Sequence, residues 1–218
     1  MINGFLLAKD EQEFLQRKGD ANEWYVATNS VDALSKIKGV KAFAYVEKKE
    51  DLKGDKICLS SLNLDDDVLD ACIEYVLSNK CEFMVRACEN LTGSGLLESK
   101  YHLSPIMILH KMGLLEGAIV VGANHIDRDD LDLMIQCNAK IVLLPSYSMG
   151  KGNGFAPISF TKGKIPLLFG TADNSYNEEG SIKMEGYLAR LSGNCEARKE
   201  DAVTEQEILK ICKGLKND

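Results

Sequence analysis

Histidine is scarce in this chain: among 218 residues there are only His102, His110 and His125, and none precedes position 102. A metal site built from several histidines is therefore not expected. Seven cysteines (58, 72, 81, 88, 137, 195 and 212) stand singly, with no C-x-x-C pair, which argues against a disulfide framework. The odd, scattered set fits a reducing cytoplasm, the expected location. No apolar run approaches the roughly 20 residues that span a bilayer. The opening MINGFLLAKD lacks a basic segment and turns acidic at once, so no export leader is expected. The net charge of -7 argues against a nucleic-acid surface. No internal repeat or low-complexity tract interrupts the chain, which is read as one domain over residues 1–218.

What is present is an alternation of short apolar runs with helical patterns. Eight strand candidates cover residues 4–8, 24–28, 42–46, 57–62, 82–88, 118–123, 141–144 and 167–170. Most are apolar on both faces, as parallel strands under helices must be. Helical spacing marks residues 11–18, 30–37, 65–77, 105–112, 127–136, 182–191 and 204–215. Ser104-Pro105 is a cap followed by a proline at the first helical position, with Gly113 as the stop. Thr204 and Glu207 have the spacing of a capping box. These alternations predict an α/β fold, a compact (β/α)8 TIM-like barrel, with an open doubly wound sheet as the alternative. The interval between residues 46 and 57 is too short for an ordinary helix, so one outer helix should be missing or reduced to a turn.

Five blocks carry the functional signal: Arg86-Ala87-Cys88-Glu89-Asn90; the segment around Ser104-Pro105 and Gly113-Leu114-Leu115; Gly122-Ala123-Asn124-His125; Pro145 through Gly152-x-Gly154-x-Ala156-Pro157; and Gly170-Thr171-Ala172-Asp173-Asn174, closing at Asn177. In this order, over residues 81–192, they resemble the chlorohydrolase and deaminase branch of the amidohydrolase superfamily. The resemblance implies a barrel whose strand ends hold a catalytic metal. It places Arg86, Gly122 and Ala172 at the positions of the metal ligands, keeps the acid/base glutamate as Glu89, keeps the second histidine of the sixth strand as His125, and moves the eighth-strand carboxylate one residue on, to Asp173. The first strand offers no His-x-His at all, and nothing resembles the β-sandwich that flanks such barrels.

The resemblance thus implies a family scaffold with its metal ligands lost, no metal and no cofactor. Glu89, His125 and Asp173 are the candidate catalytic residues, and Arg86, Ser146, Asn174 and Asn177 the candidate ligand-binding ones. A guanidinium among them repels a divalent cation and suits a carboxylate or phosphate. Two readings of Arg86 and Glu89 stand side by side: an anion clamp beside an acid/base, or a structural ion pair plugging the mouth. His125 is equally readable as a helix-capping residue, and Asp173 to Ser175 as turn chemistry. The expected function is a catalytically degenerate protein that binds a small ligand or a partner subunit. The alternative is a hydrolase or deaminase acting on C–N or C–Cl bonds through a rebuilt Arg/Glu/Asp/His site. A homodimer, or pairing with an active homologue, is expected; nucleic acid and membrane are not.

Overall fold

A computed structural model describes residues 1–214. Eight strands close into a parallel barrel in sequence order. They are β1 (Ile2–Leu7), β2 (Glu23–Thr28), β3 (Val40–Val46), β4 (Lys56–Leu59), β5 (Glu82–Ala87), β6 (Ile119–Gly122), β7 (Lys140–Leu143) and β8 (Leu167–Phe169). The ring closes where Asn3 of β1 pairs with Phe169 of β8. The barrel expectation is met, and the open sheet is set aside.

Side-chain alternation along each strand builds two layers. Phe5, Ala27, Phe43, Cys58, Met84, Val121, Val142 and Leu168 fill the barrel interior. Their strand neighbours Val46, Ile57, Leu59, Phe83, Val85, Val120, Ile141 and Leu143 point outward into the helix layer. A smaller outer cluster of Leu6, Phe14, Val26 and Leu34 seals the β1–β2 quadrant. Arg86 lies two residues beyond Met84 on β5, so the pleat aims it inward, at the carboxyl end of the barrel.

The outer layer comprises α1 (Glu11–Arg17), α2 (Val31–Leu34), α3 (Asp66–Asn79), α4 (Leu91–Tyr101), α5 (Pro105–Lys111), α6 (Arg128–Gln136), α7 (Pro145–Gly150), α8 (Ile158–Thr161), α9 (Ile182–Ala197) and α10 (Glu205–Cys212). Between β3 and β4 there is only a 3-10 turn, Lys49–Asp51, so the short interval does replace a helix. Ser104 caps α5 with Pro105 at its first position, and Thr204 with Glu207 forms the capping box of α10. The predicted extension of this last helix to Leu215 lies outside the described residues.

Three corrections concern local structure. The helix expected over residues 30–37 is a single turn, because Ser30 supplies no side-chain cap and the chain turns at Gly39 toward β3. Strand β4 ends at Leu59, short of the expected 62, and the next residues form a loop over the barrel mouth. Helix α4 was not expected. It carries Gly93 and Gly95, weak helix formers, and forms because Asn90 caps it and Leu97 buries against the core.

Candidate functional site at the barrel mouth

Arg86 and Glu89 form a two-pronged ion pair at the carboxyl end of β5. Arg86 Nε donates to Glu89 Oε1 at 2.9 Å, and its Nη2 donates to Oε2 at 2.8 Å. Their side chains are only 15% and 14% exposed, so the pair is largely shielded from water. The guanidinium also stacks near the rings of Phe5 and Tyr147, 5.8 and 5.5 Å from their centroids, and Nη2 donates to the Tyr147 hydroxyl at 3.3 Å. Burial works against the Arg86 charge, but the Glu89 charge and its hydrogen bonds outweigh that and raise its pKa. Arg86 therefore stays charged at any working pH. The Tyr45 hydroxyl, at the end of β3, is pushed up by burial, with the nearby Arg86 charge opposing.

The backbone around this pair is unusual. Cys88, Ala123 and Ala172, just beyond β5, β6 and β8, have φ of 55, 53 and 52°, left-handed conformations that cost non-glycine residues about 1 kcal/mol or more. Gly122 has φ of 97°, and a Cβ built there would sit 2.3 Å from Glu89 Cγ. The glycine is thus what admits the glutamate into its pairing position.

The other predicted residues do different work. His125 donates from its main chain to the Cys88 carbonyl, and its Nε2 lies 2.8 Å from the Asn153 carbonyl oxygen. A carbonyl only accepts, so Nε2 carries the proton and the ring holds the loop after α7 over the mouth. Asn124, which sequence reasoning passed over, donates to the Glu89 carbonyl and to Ser148 Oγ, both at 2.9 Å. Asp173 Oδ1 accepts from the Ser175 amide and hydroxyl. Burial would raise the Asp173 pKa, but those bonds and the Arg17 charge lower it overall, so the carboxylate is ionised at neutral pH. Asp173 lines a cavity of about 330 Å³ beside Tyr45, Arg17 and Thr28. No hydrogen bond joins Glu89, His125 and Asp173 to one another among the described residues.

Ser146, Asn174 and Asn177 are tied into the framework. The Ser146 amide and hydroxyl donate to buried Glu185 at 2.9 and 2.5 Å, and Asn177 Nδ2 donates to the same carboxylate at 2.7 Å. Burial raises the Glu185 pKa, against these three donors. Asn174 donates to the Arg17 carbonyl. Glu185 was missed because one polar residue in an amphipathic helix carries no signal of its own. His102 caps the end of α4, and His110 lies 3.5 Å from the Cys137 sulfur.

The side chains do not suit a catalytic metal. Among the described residues no group of three or more His, Cys, Asp or Glu is arranged to hold one. The ion pair fills the space beside Gly122, and a guanidinium there disfavours a divalent cation. No described helix is long and apolar enough to cross a membrane.

Comparison with known proteins shows what the chain is similar to. The curated 5-methylthioadenosine/S-adenosylhomocysteine deaminase of Caldicellulosiruptor saccharolyticus is 27% identical over 114 residues, 51% of this chain and 27% of that protein. The guanine deaminase of C. acetobutylicum, solved with bound guanine, superposes with a TM-score of 0.75 at 13% identity, over 93% of this chain and 59% of its own. A zinc-containing adenosine deaminase from Xanthomonas campestris gives 0.69 at 14%, over 84% and 39%. The zinc-bound atrazine chlorohydrolase of Arthrobacter aurescens gives 0.68 at 14%, over 88% and 48%. No family model matches the chain. The chain spans about a quarter of its curated relative and roughly half of these solved chains. Its barrel has the fold of the deaminases and chlorohydrolases that the motifs resemble, and its sequence is similar to a deaminase over half its length.

Proposed function

We propose that this protein binds a small polar molecule at the barrel mouth without a metal ion and does not catalyse metal-dependent hydrolysis. The observation that carries this reading is the Arg86–Glu89 pair, seated against Gly122. In the resemblance these three positions are two metal ligands and the proton-transferring glutamate. Here both oxygens of that glutamate accept from a guanidinium. A general base must be free to reach the proton it takes, and a carboxylate held at both oxygens by a guanidinium is fixed in place. The two charges instead form a polar, closed ion pair at the place where the relatives' scaffold concentrates its chemistry. Acting as the non-hydrolytic partner of an active relative is the same reading at the level of assembly.

A second reading is favoured by the comparisons: a deaminase or hydrolase of C–N bonds with a rebuilt site. Glu89 would move protons, Asp173 would be a second carboxylate, Arg86 would bind an oxyanion and His125 would donate a proton. The separate hydrogen-bonding of Glu89, His125 and Asp173 counts against it.

The test is elemental mass spectrometry on purified protein with zinc and iron titrations, followed by binding and turnover assays. The relatives' names point to purines and triazines, so small nitrogen heterocycles come first. Absence of metal, saturable binding and no turnover are expected. Stoichiometric metal with turnover would overturn the proposal.

A further inference from the structure

A second, smaller cavity of about 60 Å³ lies beside the ion pair, lined by the loop after β4 and the first turn of α4. Its polar lining comes from Ser60, Ser61, Asn63, Asn90, Ser94 and the Arg86–Glu89 pair. Ser94 is only 7% exposed, yet its hydroxyl has no hydrogen-bond partner among the described residues. A buried hydroxyl left unpaired is costly, and folded proteins rarely keep one without a water or ligand to meet it. It lines a cavity with room for such a group.

We infer that this cavity is an oxyanion subsite, taking a carboxylate or phosphate group of the ligand that binds at the mouth. The inference rests on the proposed function above, since it requires the metal-free mouth. Four features favour an anion. The cavity lies beside the first turn of α4, an eleven-residue helix whose dipole is positive at that end. Asn90 spends its Oδ1 on the Gly93 amide, which leaves its Nδ2 as a donor. Serine hydroxyls add further donors. Glu89 does not repel an anion as a lone carboxylate would, because both its oxygens accept from Arg86. Gly93 permits the arrangement: a Cβ there would press within 3.1 Å of Asn90 Oδ1 and 3.3 Å of Asn63 Nδ2, and Asn63 Nδ2 donates to the Gly93 carbonyl at 3.2 Å.

The test is thermal unfolding of metal-analysed, chelator-treated protein against increasing sodium phosphate and, separately, sodium acetate, with sodium chloride at matched ionic strength as control. Saturable stabilisation by phosphate, by acetate or by both is expected, and which salt acts identifies the group. Ser94→Ala, which removes the unpaired hydroxyl, should weaken binding about ten-fold while the anion-free melting temperature holds or rises. Asn90→Asp keeps a good helix cap and adds a like charge, so it should abolish the effect with the fold intact. No stabilisation beyond the chloride control, or wild-type affinity in both variants, overturns the inference. Metal found in the starting protein would instead overturn the proposed function, so the two failures are told apart in one sample.

Discussion

Gly122 and Glu89 are mutually dependent: a Cβ at 122 would come to 2.3 Å from Glu89 Cγ, and the glycine sits at a φ of 97° that side chains rarely adopt. A histidine at 122 would therefore displace the glutamate. At the positions that the resemblance assigns to metal binding the chain carries Arg86, Gly122 and Ala172.

Gly122→Ala should accordingly destabilise the protein by about 2–4 kcal/mol, combining overpacking with a strained backbone. Gly122→His alone should be at least as damaging and should bind no zinc. Urea unfolding with a zinc titration checks both. A stable, zinc-binding single variant would show that the mouth relaxes around residue 122.

Arg86→Met should cost about 3–5 kcal/mol, because it leaves the Glu89 carboxylate shielded and unpaired. Adding Glu89→Gln should restore much of the loss, since a neutral pair replaces a broken ionic one. The double-mutant cycle in denaturant reads the coupling. Equal, additive losses would mean that the pair contributes nothing as a unit.

Glu185 predicts a pH dependence with a defined sign. Its folded pKa is raised by burial above the ordinary 4.5, so the native state holds the proton more tightly than the unfolded chain. Its contribution is full below 4.5 and is lost as pH rises through the higher folded value. Glu185→Gln should remove that downward slope. It should also cost about 1–3 kcal/mol at low pH, where an amide would face the Ser146 or Asn177 donors. Urea midpoints across pH 4–8 for both proteins are the check.

Asp173 predicts the opposite slope. Its pKa is lowered below the ordinary 3.8, chiefly through Ser175 against the opposing effect of burial. Its contribution is present above 3.8 and is lost as pH falls through the lower folded value. Ser175→Ala should move the Asp173 titration upward. Carboxyl carbon NMR of the labelled side chain reads this directly, and an unmoved titration would exclude Ser175 as the cause.

The barrel was legible because strand character is local. Runs such as Val40–Val46 and Glu82–Ala87 are apolar at close range, and eight such runs between helical patterns leave few architectures. Helix α4 was not legible: glycines 93 and 95 depress its propensity, and Leu97 burial is a tertiary effect. Among the candidate site residues, the Arg86–Glu89 pairing was one of two readings available from their spacing. The Glu185 network with Ser146 and Asn177 had no local trace, since its partners lie 39 and 8 residues away in sequence.

The chain alone therefore determined the barrel, the short β3–β4 link, the likeness to deaminases and chlorohydrolases, and the residue types at the strand ends. Each follows from composition and periodicity within a few residues, or from motifs in order. Tertiary structure alone decided that Glu89 is bound by Arg86, that Gly122 makes room for it, that Ser146 faces Glu185, and that the Ser94 hydroxyl is left beside a cavity. Those facts depend on which strand ends the closed barrel brings together, and a linear sequence does not display that proximity.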